Sequence, residues 1–280
     1  MIDTHAHVNF NAFKDDFDDV IKRGLAQNTQ IINVGSQLST SKRAIDFAKQ
    51  YANCFASIGL HPIHLQDMLV EEEGEKFTTR KEDFSYEAYK ELAKQPKVIA
   101  IGETGLDYWH LNNNEPAAVA IARQKQVFAE HIKLANELNL PVIVHCRGLP
   151  THGFGKASAY DEILEELTKQ PPENGGIMHC FGGLIDLVEK FVDLGLYISF
   201  NGILTFDKTG HIADILRATP DDKILTETDC PYLTPEPHRG KRNEPAFVEF
   251  VIKKIAEIKG MTFDKVDELT TNNAKRLFAI

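Results

Sequence analysis

Residues 1–10 read MIDTHAHVNF, a strand-like run that carries His5 and His7 one residue apart. Side chains alternate faces along a strand, so the two imidazoles point the same way, with Thr4 and Ala6 turned to the other side. Such a pair can chelate one ion. Whether it does depends on what the rest of the chain brings to the same place.

Seven further β-rich segments follow, at 31–35, 55–60, 98–103, 141–145, 176–180, 196–200 and 224–229. Several are near-continuous apolar runs, as expected of parallel strands covered on both faces. Amphipathic stretches separate them, at 13–26, 39–51, 117–138, 160–168, 184–194, 211–218 and 245–258, and a last one spans 263–278. In 117–138 the apolar residues Ile121, Val127, Phe128, Ile132, Leu134 and Ala135 recur at helical spacing. Eight strands alternating with helices predict an α/β fold, a (β/α)8 TIM barrel forming a single domain over residues 1–280. Pattern alone leaves an open doubly wound sheet as the alternative. Residues 70–84 (VEEEGEKFTTRKEDF, taken to Phe84) and 148–158 (GLPTHGFGKAS) read as exposed loops inserted into this pattern, the second carrying His152 and Lys156.

The composition is that of a globular chain: 280 residues, 42% hydrophobic and 26% charged. No apolar run approaches the roughly 18–20 residues of a membrane span, and no basic segment followed by an apolar stretch opens the chain, so a cytoplasmic protein is expected. The four cysteines, Cys54, Cys146, Cys180 and Cys230, show no zinc-type spacing and imply no disulfide framework. A formal charge of −10 and a pI near 5.6 repel polyanions, so any nucleic acid must be gripped locally.

The strand ends carry the chemistry. His61 follows the third β segment, Glu103 ends the fourth, His145 the fifth, His179 the sixth and Asp229 the eighth. In a barrel these ends converge on one pocket. So many ionisable groups would be costly to bury there without cations among them, and they are too many for one open zinc, so two divalent ions fit better. Cys146, Cys180 and Cys230 each follow a candidate ligand and by alternation should face the helix layer. His64, His110, His131 and His211 read as surface or packing residues.

HxH at 5–7, GLHP at 59–62, IGETGLDY at 101–108, the HCR and HCF strand ends, ETDCPYL at 227–233, RGKRNEP at 239–245 and the closing NNAKRLF together resemble the TatD-type metal-dependent hydrolases of the amidohydrolase superfamily. The resemblance spans the whole chain and implies a barrel with a binuclear site that hydrolyses phosphodiester bonds in DNA, often from chain ends. Carried over, His5, His7 and Asp229 would bind one ion, His145 and His179 the other, and Glu103 would bridge them; the ions could be Zn, Mn, Mg or Ni. A bridging hydroxide would attack phosphorus, with Asp229 handling its proton. His61 would donate to a phosphate oxygen, and Glu227 would orient a ligand or the attacking water. Arg239, in the locally basic loop after the eighth strand with Lys241 and Arg242, would hold the phosphate. DNA or another phosphodiester is the expected partner, with no membrane and no stable protein partner.

Two rival readings use the same residues: hydrolysis of a carbonyl ester or amide in a small molecule, and a non-catalytic metal-containing binding protein. The phosphate-suited loop at Arg239 speaks against the first, and the open rim with the charge of −10 against the second.

Overall fold

The apolar runs become parallel strands because sheet neighbours and helices bury both of their faces. The computed structural model describes residues 1–72, 75–112, 114–148 and 158–280. Its strands are β1 (Ile2–Ala6), β2 (Gln30–Val34), β3 (Cys54–Ile58), β4 (Leu69–Glu72), β5 (Glu75–Thr78), β6 (Val98–Asp107), β7 (Val142–Arg147), β8 (Gly176–Met178), β9 (Leu196–Phe200) and β10 (Ile224–Thr226). The helices are α1 (Phe17–Ala26), α2 (Leu38–Gln50), α3 (Tyr86–Ala93), α4 (Ala117–Leu138), α5 (Ser158–Lys169), α6 (Asp186–Asp193), α7 (Ile203–Phe206), α8 (His211–Ala218), α9 (Val248–Lys259) and α10 (Phe263–Phe278).

Eight of the strands pair side by side in the order β1-β2-β3-β6-β7-β8-β9-β10. The two ends of that sheet then meet. Asp229 N–H donates to His5 O at 2.8 Å, His7 N–H donates to Cys230 O at 2.9 Å, and Asp3 accepts from the backbone N–H and the hydroxyl of Thr228 at 2.8 and 2.6 Å. The expected (β/α)8 barrel is the fold. No helix among the described residues is long and apolar enough to cross a membrane.

Two apolar shells follow from strand alternation. Ile2, Ile32, Val34, Ile143, Ile177, Tyr197 and Leu225 fill the barrel interior, closed below by Ala274 and Phe278 of α10. Ile58, Val144, Met178, Ile198 and Phe200 face outward against Phe128, Ile132, Phe191 and Ile252 of the helix layer. The polar strand ends therefore sit above an apolar plug, in a setting where an unpartnered charge is expensive.

Two irregularities aim the site. Between β1 and β2 the register runs Asp3 to Ile31 and then Ala6 to Asn33, so β1 carries one extra residue, a bulge. Thr4 therefore does not turn away from the histidines as alternation predicts. Its hydroxyl donates to Thr226 O at 3.0 Å and lies 3.4 Å from Ser199 Oγ of β9, which is not a sheet neighbour of β1, so the two hydroxyls meet through the interior. β6 also carries an extra residue between Ile101 and Thr104, after which Gly105 pairs with His145 and Asp107 with Arg147.

The 70–84 segment is a loop only in part, at 79–84. Val70 and Phe77 lie in the antiparallel β4–β5 hairpin, Val70 is buried, and Phe84 stacks on Tyr89 at 5.1 Å and packs on His131 at 4.3 Å. Its acidic composition hides this, because an antiparallel ribbon needs only one apolar face. Helix α3 follows, capped by Ser85, whose hydroxyl accepts from Ala88 N–H. Of 148–158, the stretch 149–157 with His152 and Lys156 lies outside the described residues.

Gly105 is required where β6 crosses the fifth barrel strand. It holds φ +143°, and an added Cβ would lie 2.0 Å from His145 O. Gly240 also has positive φ, at +82°, but nothing within 4 Å of an added Cβ. Gly240→Ala should cost only the backbone strain of about 1–3 kcal/mol, whereas Gly105→Ala should cost clearly more or abolish folding. Equal urea midpoints for the two variants would contradict the close approach.

Candidate metal centre

His5 and His7 rise from the bulged end of β1 with their Nε2 atoms 3.0 Å apart. Asp229 lies just past β10 in the left-handed conformation, φ +58°, which lifts its carboxylate to the same point. Its Oδ1 is 3.5 Å from His7 Nε2 and 3.9 Å from His5 Nε2.

Glu103 is the hub. One carboxylate oxygen faces His5 Nε2 at 3.3 Å and His7 Nε2 at 3.6 Å; the other faces His145 Nδ1 at 2.9 Å, His61 Nε2 at 3.4 Å and His179 Nε2 at 3.8 Å. His5 and His179 stack, with ring centroids 3.6 Å apart. The structure thus brings together His5, His7, His61, Glu103, His145, His179 and Asp229. Within the set, His5, His7 and Asp229 each offer a ligand atom within 4.8 Å of the others, as do His5, Glu103 and His179.

Charge distribution follows from burial. Glu103 is disfavoured as an anion by burial, but the charges of His61 and His5 and the bond from His145 hold it well below the usual carboxylate range. Burial likewise works against charge on His145 and His179. Asp107 and Glu103 nevertheless raise His145 to about 9, and Glu227 with Asp229 raises His179 to about 10. Burial and the charge on His179 push His5 down. Ionised carboxylates faced by imidazolium ions are what a cation site looks like when protons stand in for the cations.

The ring nitrogens facing away from the centre test the fit. His7 Nδ1 donates to Val34 O at 2.9 Å, and His179 Nδ1 lies 2.9 Å from Glu227 Oε1 as an ion pair, so an acceptor faces the outer nitrogen of both rings while Nε2 points inward. Imidazole and carboxylate donors of this kind suit Zn²⁺, Mn²⁺ and related ions. The residues fit a metal.

Glu227 stands behind His179. It is fully buried, accepts from Cys180 N–H at 2.9 Å and Asn201 Nδ2 at 3.3 Å, and does not line the cavity. His61 does two jobs: its Nδ1 accepts from Ile63 N–H at 3.2 Å, capping a turn, while Nε2 faces Glu103. Arg239 is not brought in. Its guanidinium donates to Thr234 O at 2.9 Å and lies 4.0 Å over Phe206, and Arg242 is tied to Asp16 and Ala12 O, because this loop folds back on the protein.

Cys146 and Cys230 pack in the outer shell as alternation predicts, but Cys180 does not. β8 ends at Met178, and Cys180 takes φ +48°, so alternation no longer governs it and its sulfur groups with His179 and Asp229. Two residues escape the sequence reading. Asp107, buried at the end of β6, lies 3.2 Å from His145 Nε2, and His110 Nδ1 is 2.8 Å from the same Asp107 oxygen. His110 is therefore no mere surface residue. The available signal is spacing: Asp107 lies two residues beyond Gly105, on the same strand face. His131 packs as expected, with Nδ1 donating to Val127 O.

The set opens into a cavity of about 1330 Å³. Phe10, Phe77, Trp109 and Tyr232 line it, with Arg43, Arg80, Lys81 and Arg147.

The profile of the family described as TatD related DNase matches residues 2–279. A Bacillus subtilis protein named as the uncharacterized metal-dependent hydrolase YabD is 39% identical over 283 residues, spanning 100% of this chain and 99% of its own. The 3'-5' ssDNA/RNA exonuclease TatD of Escherichia fergusonii is 31% identical over 287 residues, spanning 100% of this chain and 99% of its own. Among solved structures, the Escherichia coli TatD homologue YJJV superposes with a TM-score of 0.83 at 26% identity, over 100% of this chain and 98% of that one.

Histidines held protonated in the ion-free protein must give up that proton to ligate. With His145 raised to about 9 and His179 to about 10, both carry it at pH 7.5. Loading divalent ions at pH 7.5 should release about two protons, and fewer at pH 10. Calorimetry in buffers of different ionisation enthalpy measures this; no release at pH 7.5 would contradict the charge state described.

Proposed function

The chain belongs to the TatD-related DNase family of metal-dependent hydrolases, and from that premise we propose that it is a cytoplasmic phosphodiesterase, a deoxyribonuclease of the exonuclease type. In this reading His5, His7 and Asp229 would hold one divalent ion, His145 and His179 would hold a second, and Glu103 would be shared between them. The observation that carries it is the convergence of four imidazoles on two ionised carboxylates, with Glu103 within 3.8 Å of each ring. Two such ions would bring the pKa of water near neutrality and absorb charge developing on phosphorus.

The residues of the chain supply the rest. Asp229 is ionised, lines the cavity and is partly exposed, so its carboxylate can accept the proton of the attacking water. His61 carries its proton on Nε2, since Nδ1 accepts from Ile63 N–H, and so donates to a phosphate oxygen. Glu227 fixes the ring of His179 and acts only through it. Arg239 does not line the cavity and has no part in this reading; Arg80 and Lys81 on the cavity wall, with Arg43, which also donates to Asn9 O at 2.8 Å, would meet neighbouring phosphates instead. Phe10 and Trp109 offer ring faces on which bases can stack. The cavity, at about 1330 Å³, exceeds the roughly 300–1,000 Å³ of small-ligand pockets. That favours a polymer over a small carbonyl substrate.

Ion-stripped protein should leave end-labelled single-stranded DNA intact, and Mg²⁺, Mn²⁺ or Zn²⁺ should restore shortening from one end. Asp229→Asn should lower that rate by about a hundredfold or more with an unchanged melting temperature. Cleavage that persists in chelator, or an unaffected Asp229→Asn, would contradict the mechanism. No cleavage with any ion would transfer the site to a carbonyl substrate.

A further inference from the structure

Beside the proposed ligand set, His61 and Asp107 present ligand-type atoms that lie within 4.8 Å of each other and of one on His145, a member of that set. They do not make a third cation site. His61 holds its proton on the nitrogen that faces the group, because its other nitrogen accepts from Ile63 N–H.

Asp107 has a different use. Its main chain is pinned: Asp107 N–H donates to Gln124 Oε1 at 2.8 Å, and Gln124 Nε2 donates back to Asp107 O at 2.9 Å, with Gln124 itself buried. Its carboxylate is pinned as well, accepting from His110 N–H at 2.9 Å on one oxygen and lying 2.8 Å from His110 Nδ1 on the other. That second oxygen is 3.2 Å from His145 Nε2. A carboxylate oxygen pinned in this way accepts, so a proton on His145 Nε2 satisfies this contact.

We infer that Asp107, held by His110 and Gln124, is the positioning residue that makes His145 a ligand through Nδ1, whereas His7 and His179 ligate through Nε2. This rests on the two-ion reading above. Asp107 faces one ring nitrogen of His145 and Glu103 the other, so a ring whose single proton points at Asp107 turns its Nδ1 lone pair to the Glu103 side, where Nδ1 lies 2.9 Å from Glu103 Oε1. Without the carboxylate either nitrogen could keep the proton, and the ring could turn. The in-register pairing of Gly105 with His145 puts both residues on the same sheet face, so Asp107 reaches the ring with no intervening atom.

The test is Mn²⁺ binding to the full chain, followed by calorimetry and by the exchange-coupled electron paramagnetic resonance signal of a manganese pair. Wild type should take two ions and show the coupled signal. Asp107→Asn should bind the first ion within about twofold of wild type and the second about 10–100-fold more weakly, with loss of the coupled signal at stoichiometric manganese. His110→Ala should weaken the second ion in the same direction and less. If Asp107→Asn fails to melt cooperatively without metal, His110→Ala carries the test alone. Wild-type affinities and coupling in the variants, or equal weakening of both ions, would overturn the positioning role and leave the two-ion reading intact. A wild type that takes fewer than two ions would overturn that reading itself and this role with it.

Discussion

The organising constraint is the carboxylate of Glu103, buried midway along β6 within 3.8 Å of five imidazoles. An isolated anion in that place would cost many kcal/mol, and five uncompensated imidazolium ions would cost more. Each side is tolerable only because of the other. The arrangement is balanced by protons on some of the rings, and cations in their place would make it a chemical site. The bulges in β1 and β6 serve this cluster, as does the left-handed residue Asp229. Regular strands would have sent alternate side chains to the helix layer.

The outer nitrogens of the rings are set by an equally simple rule. A neutral imidazole has one proton and one lone pair, so a fixed acceptor on one side of a ring favours the proton there and the lone pair on the other nitrogen. Val34 O, the Glu227 carboxylate and the Asp107 carboxylate each occupy one side of a ring. Three different elements thereby aim three rings at one point. The cost of building such a site lies mostly outside it.

Much of this was legible in the sequence. His5, His7, His145, His179, Glu103 and Asp229 end apolar runs, and eight such runs separated by amphipathic stretches admit few architectures. What stayed hidden was whatever periodicity does not encode. A bulge leaves no compositional mark, so Thr4 turns inward against the alternation rule. Asp107 was out of reach because an apolar run stops at Glu103 while the strand goes on. Cys180 and Asp229 lie beyond the last strand residue, where the chain takes positive φ and alternation lapses. The basic loop at 239–242 is charged in composition, but its arginines contact carbonyls, two rings and a carboxylate of the protein itself, which composition does not show. The cations that line the cavity instead, Arg43, Arg80 and Lys81, come from α2 and from the segment after β5, far apart in sequence.

The central claim is that these residues hold two ions with Glu103 between them. The most direct measurement is anomalous diffraction from crystals equilibrated with Mn²⁺. The account predicts two peaks about 3.5–4 Å apart, one against His5, His7 and Asp229, the other against His145 and His179, with the Glu103 carboxylate spanning them. A single peak, or a pair that leaves Glu103 untouched, would contradict it.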